Sequence, residues 1–424
     1  MAKGLILSFD FPPKNSIGAQ RPYSWLKYFK KFGVNPIVIT NNWANENADK
    51  PEVSSDENGT VIRVPFLPNL RDKLIDSSSG LAIFVRKILT VFIQFSQYFS
   101  FIGDNKRAIY YEAQLYLKKN KVDFIVATGE PYILYKYAYL LATEFNIPWV
   151  ADYRDDWIGN YMRVEKAGII DKVLIKFETL HEKHFLSNAI GFTGVSDFLV
   201  NTIQERTGIK TNKAIENGVE LSLFSPQQEK KDVFSIVYTG IMYDMTYMQT
   251  FRDGFEQFIA EVENTKNIEV KFVGIKDYPN QATLVTEYLA NKYPDLVFIE
   301  DKVPQQVAAN YQQKASILLN LIAGDPSMGI IGAKCYNYAA TRNPILSIPT
   351  IPNPNTLFFP NRNIQFIALS VDDVYTFIKQ QYLLFCAGES TQTDITDEEI
   401  FMISREYKAK QLAEFILTEI SKRK

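Results

Sequence analysis

The sequence predicts an α/β chain made of two Rossmann-like halves, each a doubly wound parallel sheet. Three observations carry this. The chain has 424 residues, enough for about two or three domains. Short apolar runs alternate with segments of helical periodicity, the pattern of βαβ units. That rhythm breaks at the hydrophilic stretch Pro226–Asp232 and then restarts. Composition narrows the chemistry. Lys+Arg is 46 against Asp+Glu 48, so the net charge of −2 gives no reason to expect nucleic-acid binding. Two cysteines and two histidines exclude a zinc ribbon, an iron–sulfur cluster or a disulfide scaffold, and no metal site is expected. Carboxylates, hydroxyls, the two histidines and backbone amides remain. The surplus is aromatic, with 24 Tyr and 30 Phe.

In the first half, Gly4–Ser8 reads as a strand and Phe11–Gly18 as a breaker-rich loop. Trp25, Leu26, Phe29 and Phe32 give Pro22–Phe32 a helical period, closed by Gly33. Pro36–Thr40 is a second buried strand, and two apolar strands joined by one helix imply parallel pairing. Strands follow at Val61–Val64, Val122–Thr128, Pro148–Asp152 and Ala189–Val195, with helices near Tyr132–Phe145 and Lys172–Ser187. Glu216–Val219 is a turn-rich exit.

In the second half, strands are expected at Phe234–Thr239, Glu269–Val273, Val297–Ile299, Ile317–Leu321 and Pro344–Ile348. Helices are expected at Met248–Glu263, Ala282–Lys292, Gln305–Lys314 and Gly332–Ala340, with two more at Val371–Leu384 and Ile403–Ser421. The domains are accordingly 1–220 and 221–402, with a closing helix in 403–424 that packs back on the first.

Met1–Ser8 enters a strand with no basic n-region or long apolar core, so a cytoplasmic location is expected. The longest apolar stretch, Leu81–Gly103, contains Arg86 and Lys87, which argues against a spanning helix. Arg71–Lys121 carries nine Lys/Arg against four Asp/Glu, interleaved with aromatics. It reads either as helices packed on the first domain or as a basic face on an anionic membrane. Arg86, Lys87, Phe92 and Phe95 are its candidate membrane or acceptor contacts.

Ligands of open α/β sheets bind beyond the carboxyl ends of the strands. There the sequence places Gly18–Arg21, a small-residue loop entering a helix, with Arg21 adding positive charge for a phosphate or sugar oxygen. Asp152-Tyr153-Arg154-Asp155-Asp156-Trp157 also follows a strand. Asp152, Arg154 and Asp155 are either catalytic or, for Asp152 and Arg154, a structural ion pair. Gly240 ends a strand and allows close backbone approach, or simply turns the chain. Met328–Lys334 feeds glycines, including Gly332, into a helix N-terminus with Lys334 in the first turn, a cradle for a diphosphate. His181 and His184 share a helix face, lack a third ligand, and read as a helix-surface or core-edge pair.

Together these segments resemble the family-four glycosyltransferases of the GT-B fold, particularly bacterial surface-polysaccharide members. Phe9–Pro13 with Gly18–Pro22 looks like the family's first loop. Ala127–Pro131 followed by Asp152–Trp157 looks like its second signature. Asn217–Glu220 with Phe224–Pro226 resembles the interdomain passage. Lys334–Ala340 and Asn343–Leu346 resemble the donor-site helix and the strand after it, and Ser404-Arg405 fits the closing helix. The likeness covers nearly the whole chain in order.

The resemblance implies a nucleotide-sugar donor held by the second domain and a glycan acceptor, lipid-linked or polysaccharide, on the first. It also implies retention of configuration, no cofactor and no metal. Gly18, Arg21, Gly240, Gly332, Lys334 and Asn337 would bind donor. Gly18–Arg21 and Gly329–Lys334 would then face the diphosphate from opposite domains across a cleft. The sequence departs from the family in two places. Where many members carry two glutamates eight positions apart, it has Gly329 and Asn337. The stretch after Gly240, Ile241–Met245, contains no Arg or Lys. A nucleotide-sugar epimerase of the same fold and a non-catalytic glycan-assembly partner are the alternative readings. With a lipid-linked acceptor, the protein would work peripherally on the inner face of the cytoplasmic membrane.

Overall fold

The computed structural model describes all residues except 46–47, 160–167, 226–230, 243–246, 323–331, 350–362, 392 and 424. The chain divides into two compact units, Met1–Asn217 with Glu406–Lys424, and Gly218–Arg405.

Among the described residues the first unit has eight strands: β1 (Ala2–Leu7), β2 (Val34–Asn41), β3 (Glu52–Ser55), β4 (Thr60–Val64), β5 (Phe124–Thr128), β6 (Trp149–Tyr153), β7 (Gly191–Gly194) and β8 (Asn212–Ala214). Their order is β3-β4-β2-β1-β5-β6-β7-β8, parallel throughout except for the β3–β4 pair. The central strands are apolar on both faces, as a sheet covered on both sides requires. Leu5, Leu7, Ile125 and Ala127 face one core, shared with the helix Ile133–Phe145. Ile6, Val38, Phe124 and Val126 face the other, against the helix Ile17–Tyr28 and the terminal helix Arg405–Ser421. In that terminal helix Ala409, Leu412, Ala413 and Ile416 are fully buried.

The second unit has β9 (Phe234–Thr239), β10 (Ile268–Val273), β11 (Val297–Glu300), β12 (Ile317–Ile322), β13 (Ile345–Pro349) and β14 (Gln365–Ile367), all parallel, in the order β11-β10-β9-β12-β13-β14. Tyr238, Phe272 and Leu319 pack under the helix Tyr247–Ala260 on one face. Val237, Leu318 and Ile345 pack under the helix Ala333–Thr341 on the other. Both units are Rossmann-like, as the alternating runs predict.

Each sheet has a switch point, where successive connections leave in opposite directions: between β1 and β5 in the first, between β9 and β12 in the second. In open α/β sheets ligands bind outside the carboxyl ends of the strands at such a point.

Several elements differ from the sequence expectation. The first helix starts at Ile17 rather than Pro22, because the Ser16 hydroxyl caps it by accepting from the Ala19 amide at 3.2 Å. Gly18–Arg21 is therefore the first turn of a helix, not a loop. Ala282–Lys292 is not one helix. It is an α-helical segment, Pro279–Val285, followed by a π-turn, Thr286–Ala290. The sequence reading passed over β3, β8 and β14, and the helices Asp197–Thr207 and Asp397–Met402.

Candidate functional site

Asp152 lies at the end of β6, fully buried, and its neighbours in the sheet register are Thr128 on β5 and Thr193 on β7. A carboxylate in that position needs several partners to offset its lost hydration. It has them. Arg21 donates from Nε to both oxygens at 3.2 and 3.0 Å and from Nη2 to Oδ1 at 2.7 Å. The Thr128 hydroxyl donates to Oδ2 at 3.0 Å and the Thr193 hydroxyl to Oδ1 at 2.7 Å. The remaining Arg21 nitrogen donates to the Glu216 carbonyl at 3.0 Å. Arg21 and Asp152 thus saturate one another beneath the switch point. The ion pair read as Asp152–Arg154 is instead Asp152–Arg21, because the helix Ile17–Tyr28 aims Arg21 inward.

Arg154 takes a different path. Its Nη2 donates to the Glu130 carbonyl at 2.8 Å, and its Nε donates to the Gly129 carbonyl. A Cβ on Gly18 would come within 1.8 Å of Arg154 Nη1, so this guanidinium rests on glycine backbone. Gly18 and Arg154 are brought together directly, beyond β1 and β6. Asp155 is exposed, and its carbonyl accepts from the Tyr132 hydroxyl at 2.8 Å. Asp156 is held at 2.8 Å by Arg206, which also pairs with the buried Glu182 at 2.6 Å. Tyr132 stacks on Trp157 at 5.2 Å, and the Tyr135 hydroxyl donates to the Asp152 carbonyl at 2.8 Å. Part of the aromatic surplus therefore braces the segment after β6.

Sequence reasoning did not single out Glu130 as a site residue. Its carboxyl is pushed up, first by desolvation and then by the charges of Asp155 and Asp10, with Arg154 opposing. Asp10 is anchored by Lys14 at 2.7 Å. Asp10, Glu130, Arg154 and Asp155 thus lie within electrostatic reach of one another beyond the ends of β1, β5 and β6. In the sequence Glu130 lies within the Ala127–Pro131 motif, and tertiary proximity brings it to the other three charges.

In the second unit β9 ends at Thr239 and the chain turns at Gly240, whose φ of 85° is a left-handed conformation that favours glycine. The Tyr338 hydroxyl accepts from the Thr239 amide at 3.0 Å and lies 3.3 Å from the Thr239 hydroxyl, which ties the strand end to the helix Ala333–Thr341. Gln312 adds a bond to the same hydroxyl at 2.8 Å. Gly332 is that helix's N-cap and supplies no side-chain cap. Lys334, in the first turn and half-buried, donates to the Tyr238 hydroxyl at 2.7 Å and the Ile241 carbonyl at 3.3 Å, with its amine 4.0 Å from the Tyr238 ring centroid. Among the described residues these partners are all uncharged. Burial pulls the amine down to about 8. Gly240, Gly332 and Lys334 thus converge where a helix N-terminus and a lysine can both meet an anion. Asn337 is half-buried on the same helix. Gly329 and Tyr243–Met245 lie outside the described residues.

Of the basic stretch, Lys87 and Phe92 are exposed. Arg86 donates to the Ile75 carbonyl at 2.8 Å, and Phe95 packs on Phe177 with ring centroids 5.0 Å apart. His181 sits in an aromatic seam, with ring centroids 4.2 Å from Phe177 and 5.1 Å from Tyr98. His184 lies 4.7 Å from Tyr139. Of the helix-surface or core-edge pair read from the sequence, His181 lies at the core edge and His184 is exposed on the helix surface. No described helix is long and apolar enough to cross a membrane.

No family model matches the chain. No curated protein matches it either. Solved structures do. A sucrose-phosphate synthase from Thermosynechococcus elongatus is similar over 99% of this chain and 100% of its own, with 13% identity and a TM-score of 0.61. A glycosyltransferase from Rickettsia africae is similar over 100% and 99%, with 14% identity and a TM-score of 0.60. HepE of Anabaena, solved with UDP and glucose, is similar over 99% and 100%, with 11% identity and a TM-score of 0.55. At these identities the likeness is one of fold: the chain has the GT-B fold, with two parallel-sheet Rossmann-like domains.

Proposed function

We propose that the protein is a glycosyltransferase that moves a sugar from a nucleotide-sugar donor to a growing glycan, lipid-linked or polysaccharide. Lys334 carries the reading. It is a lysine in the first turn of a helix, beyond the switch point of the second sheet, with uncharged partners among the described residues. A nucleoside diphosphate leaving group gains charge as the glycosidic bond breaks, and a helix N-terminus plus an ammonium is suited to stabilise it. Gly240 and Gly332 leave room for the phosphates, and Asn337 offers an amide to a ribose or sugar hydroxyl. The fold shared with proteins solved with UDP supports a nucleotide donor. In the first unit, Glu130, Arg154 and Asp155 would receive the acceptor, while Arg21 and Asp152 fix the loop that presents them. Retention without a metal follows from the family resemblance.

A thermal-shift screen against UDP, GDP, ADP and CMP derivatives tests the donor, since a ligand of the folded state raises its stability by mass action. One class should stabilise the wild type and fail to stabilise Lys334→Ala. Consumption of that donor only when acceptor is present then marks a transferase. An isomer formed from donor alone would mark an epimerase. No shift with any nucleotide would mark a non-catalytic partner.

A further inference from the structure

The helix Gly80–Ser96 contributes no buried residue to the first unit. Leu81, Phe84, Ile88 and Phe92 recur at helical spacing along one side, and Leu81 is 75% and Phe92 52% exposed. The helix contains no acidic residue, and Arg86 and Lys87 lie within it. Its far end and the turn after it meet a second helix, Ile169–Leu186, through Phe95–Phe177 at 5.0 Å and Phe99–Phe177 at 5.2 Å.

The second helix repeats the design. Ile169, Val173 and Leu180 form an exposed apolar stripe, with Val173 53% and Leu180 67% exposed. Lys172, Lys176 and Lys183 form an exposed row beside it. Its glutamates turn the other way. Glu178 is buried under the Tyr98 hydroxyl at 3.2 Å, and Glu182 is buried against Arg206. The buried glutamates and outward lysines leave this face positive as well as apolar, and Asp171, the helix's third acid, accepts from the Gly168 amide at 3.1 Å at the helix N-terminus. The junction is pinned by the buried Lys136, which donates to the Gln97 and Ser100 carbonyls at 2.6 and 2.7 Å.

We propose that these two helices form one docking face for an anionic lipid bilayer, with the apolar stripes entering the interface and the lysines meeting the headgroups. Charge complementarity selects this occupant. Apolar stripes flanked by cations bind interfaces whose headgroups are negative. The inference deepens the lipid-linked acceptor reading and rests on it for its purpose, but its test needs no sugar.

The test is co-sedimentation of the full chain with phosphatidylcholine vesicles, with and without phosphatidylglycerol, lacking any nucleotide. Wild type should pellet with the anionic vesicles and release as salt is raised. The double variants Ile88→Glu/Phe92→Glu and Val173→Glu/Leu180→Glu should each lower partitioning about tenfold or more. Replacing Lys172, Lys176 and Lys183 by Gln should remove the preference for phosphatidylglycerol while thermal unfolding stays unchanged. Wild-type binding by the Val173/Leu180 variant would overturn the two-helix face. So would a lipid-free dimer, seen by sedimentation velocity, that either double variant dissolves. Nucleotide calorimetry on the same samples separates the readings. Lost vesicle binding with intact donor binding would remove the docking face and leave the transferase, and the reverse would leave the face alone.

Discussion

Each of the two sheets places a cation beyond its switch point, and the two cations meet different company. Arg21 in the first unit is buried and answered by a carboxylate that two threonines also hold. Lys334 in the second is half-buried, and its described partners are a phenol and a carbonyl. Both positions read alike in sequence, as basic residues near glycines at a helix start. A neutralised buried charge is architecture, because its attraction is already spent on a fixed partner. A cation whose described partners are dipoles retains most of its capacity to attract an incoming anion. The contrast places Arg21 and Asp152 in the frame of the first unit, and makes Lys334 the cation on which the proposed donor site rests.

The largest expected effect breaks the closed side. Asp152→Asn strands the Arg21 guanidinium in the interior and should cost about 3–5 kcal/mol of stability. Urea unfolding measures it, and a variant as stable as wild type would return Asp152 to the list of free carboxylates. Removing both charges with Arg21→Met/Asp152→Leu should recover much of the loss. On the open side, Lys334→Ala should leave the unfolding midpoint close to wild type but weaken nucleoside diphosphate binding by about 1.5–3 kcal/mol, the worth of a charged hydrogen bond. Calorimetry with the stabilising nucleotide decides this, and unchanged affinity would remove Lys334 from the site.

Gly18→Ala tests the neighbouring arginine. The added methyl must push Arg154 off the Gly129 and Glu130 carbonyls, so about 1 kcal/mol is expected, together with weaker acceptor use at unchanged donor affinity. Kinetics with each substrate varied in turn separate the two.

The smallest effect is a pH dependence. With its amine near 8, Lys334 is charged below that value and neutral above it, so diphosphate affinity should fall as pH rises through about 8 in wild type and not in Lys334→Ala. The same shift has a stability consequence. Between about 8 and 10.5 the unfolded chain holds the proton that the native amine has released, so stability rises with pH across that window. Lys136 and Lys231, also near 8 through burial, act in the same direction, and only the Lys334 share vanishes in the alanine variant.

The sequence showed the strands of both central sheets, because a strand covered on two faces must be apolar almost without interruption. The strand Phe234–Thr239 falls where its apolar run puts it, and the helix Gln305–Lys314 where its helical period puts it. It missed β3, whose four residues are all exposed at a sheet edge and show no apolar alternation. It also missed the helix Asp197–Thr207, which the Ser196 cap announces and whose own periodicity is faint. Pro22 suggested a helix start, and the Ser16 cap placed it five residues earlier.

By itself the sequence determined the two-half α/β plan and the segments that end at strand tips, because hydrophobic period and breakers are local properties. The tertiary structure alone decided which of those charges remain available. Sheet register set Thr128 and Thr193 on either side of Asp152, and the direction of one helix brought Arg21 to it. Pairing across 131 residues follows from how the strands align and not from any local pattern.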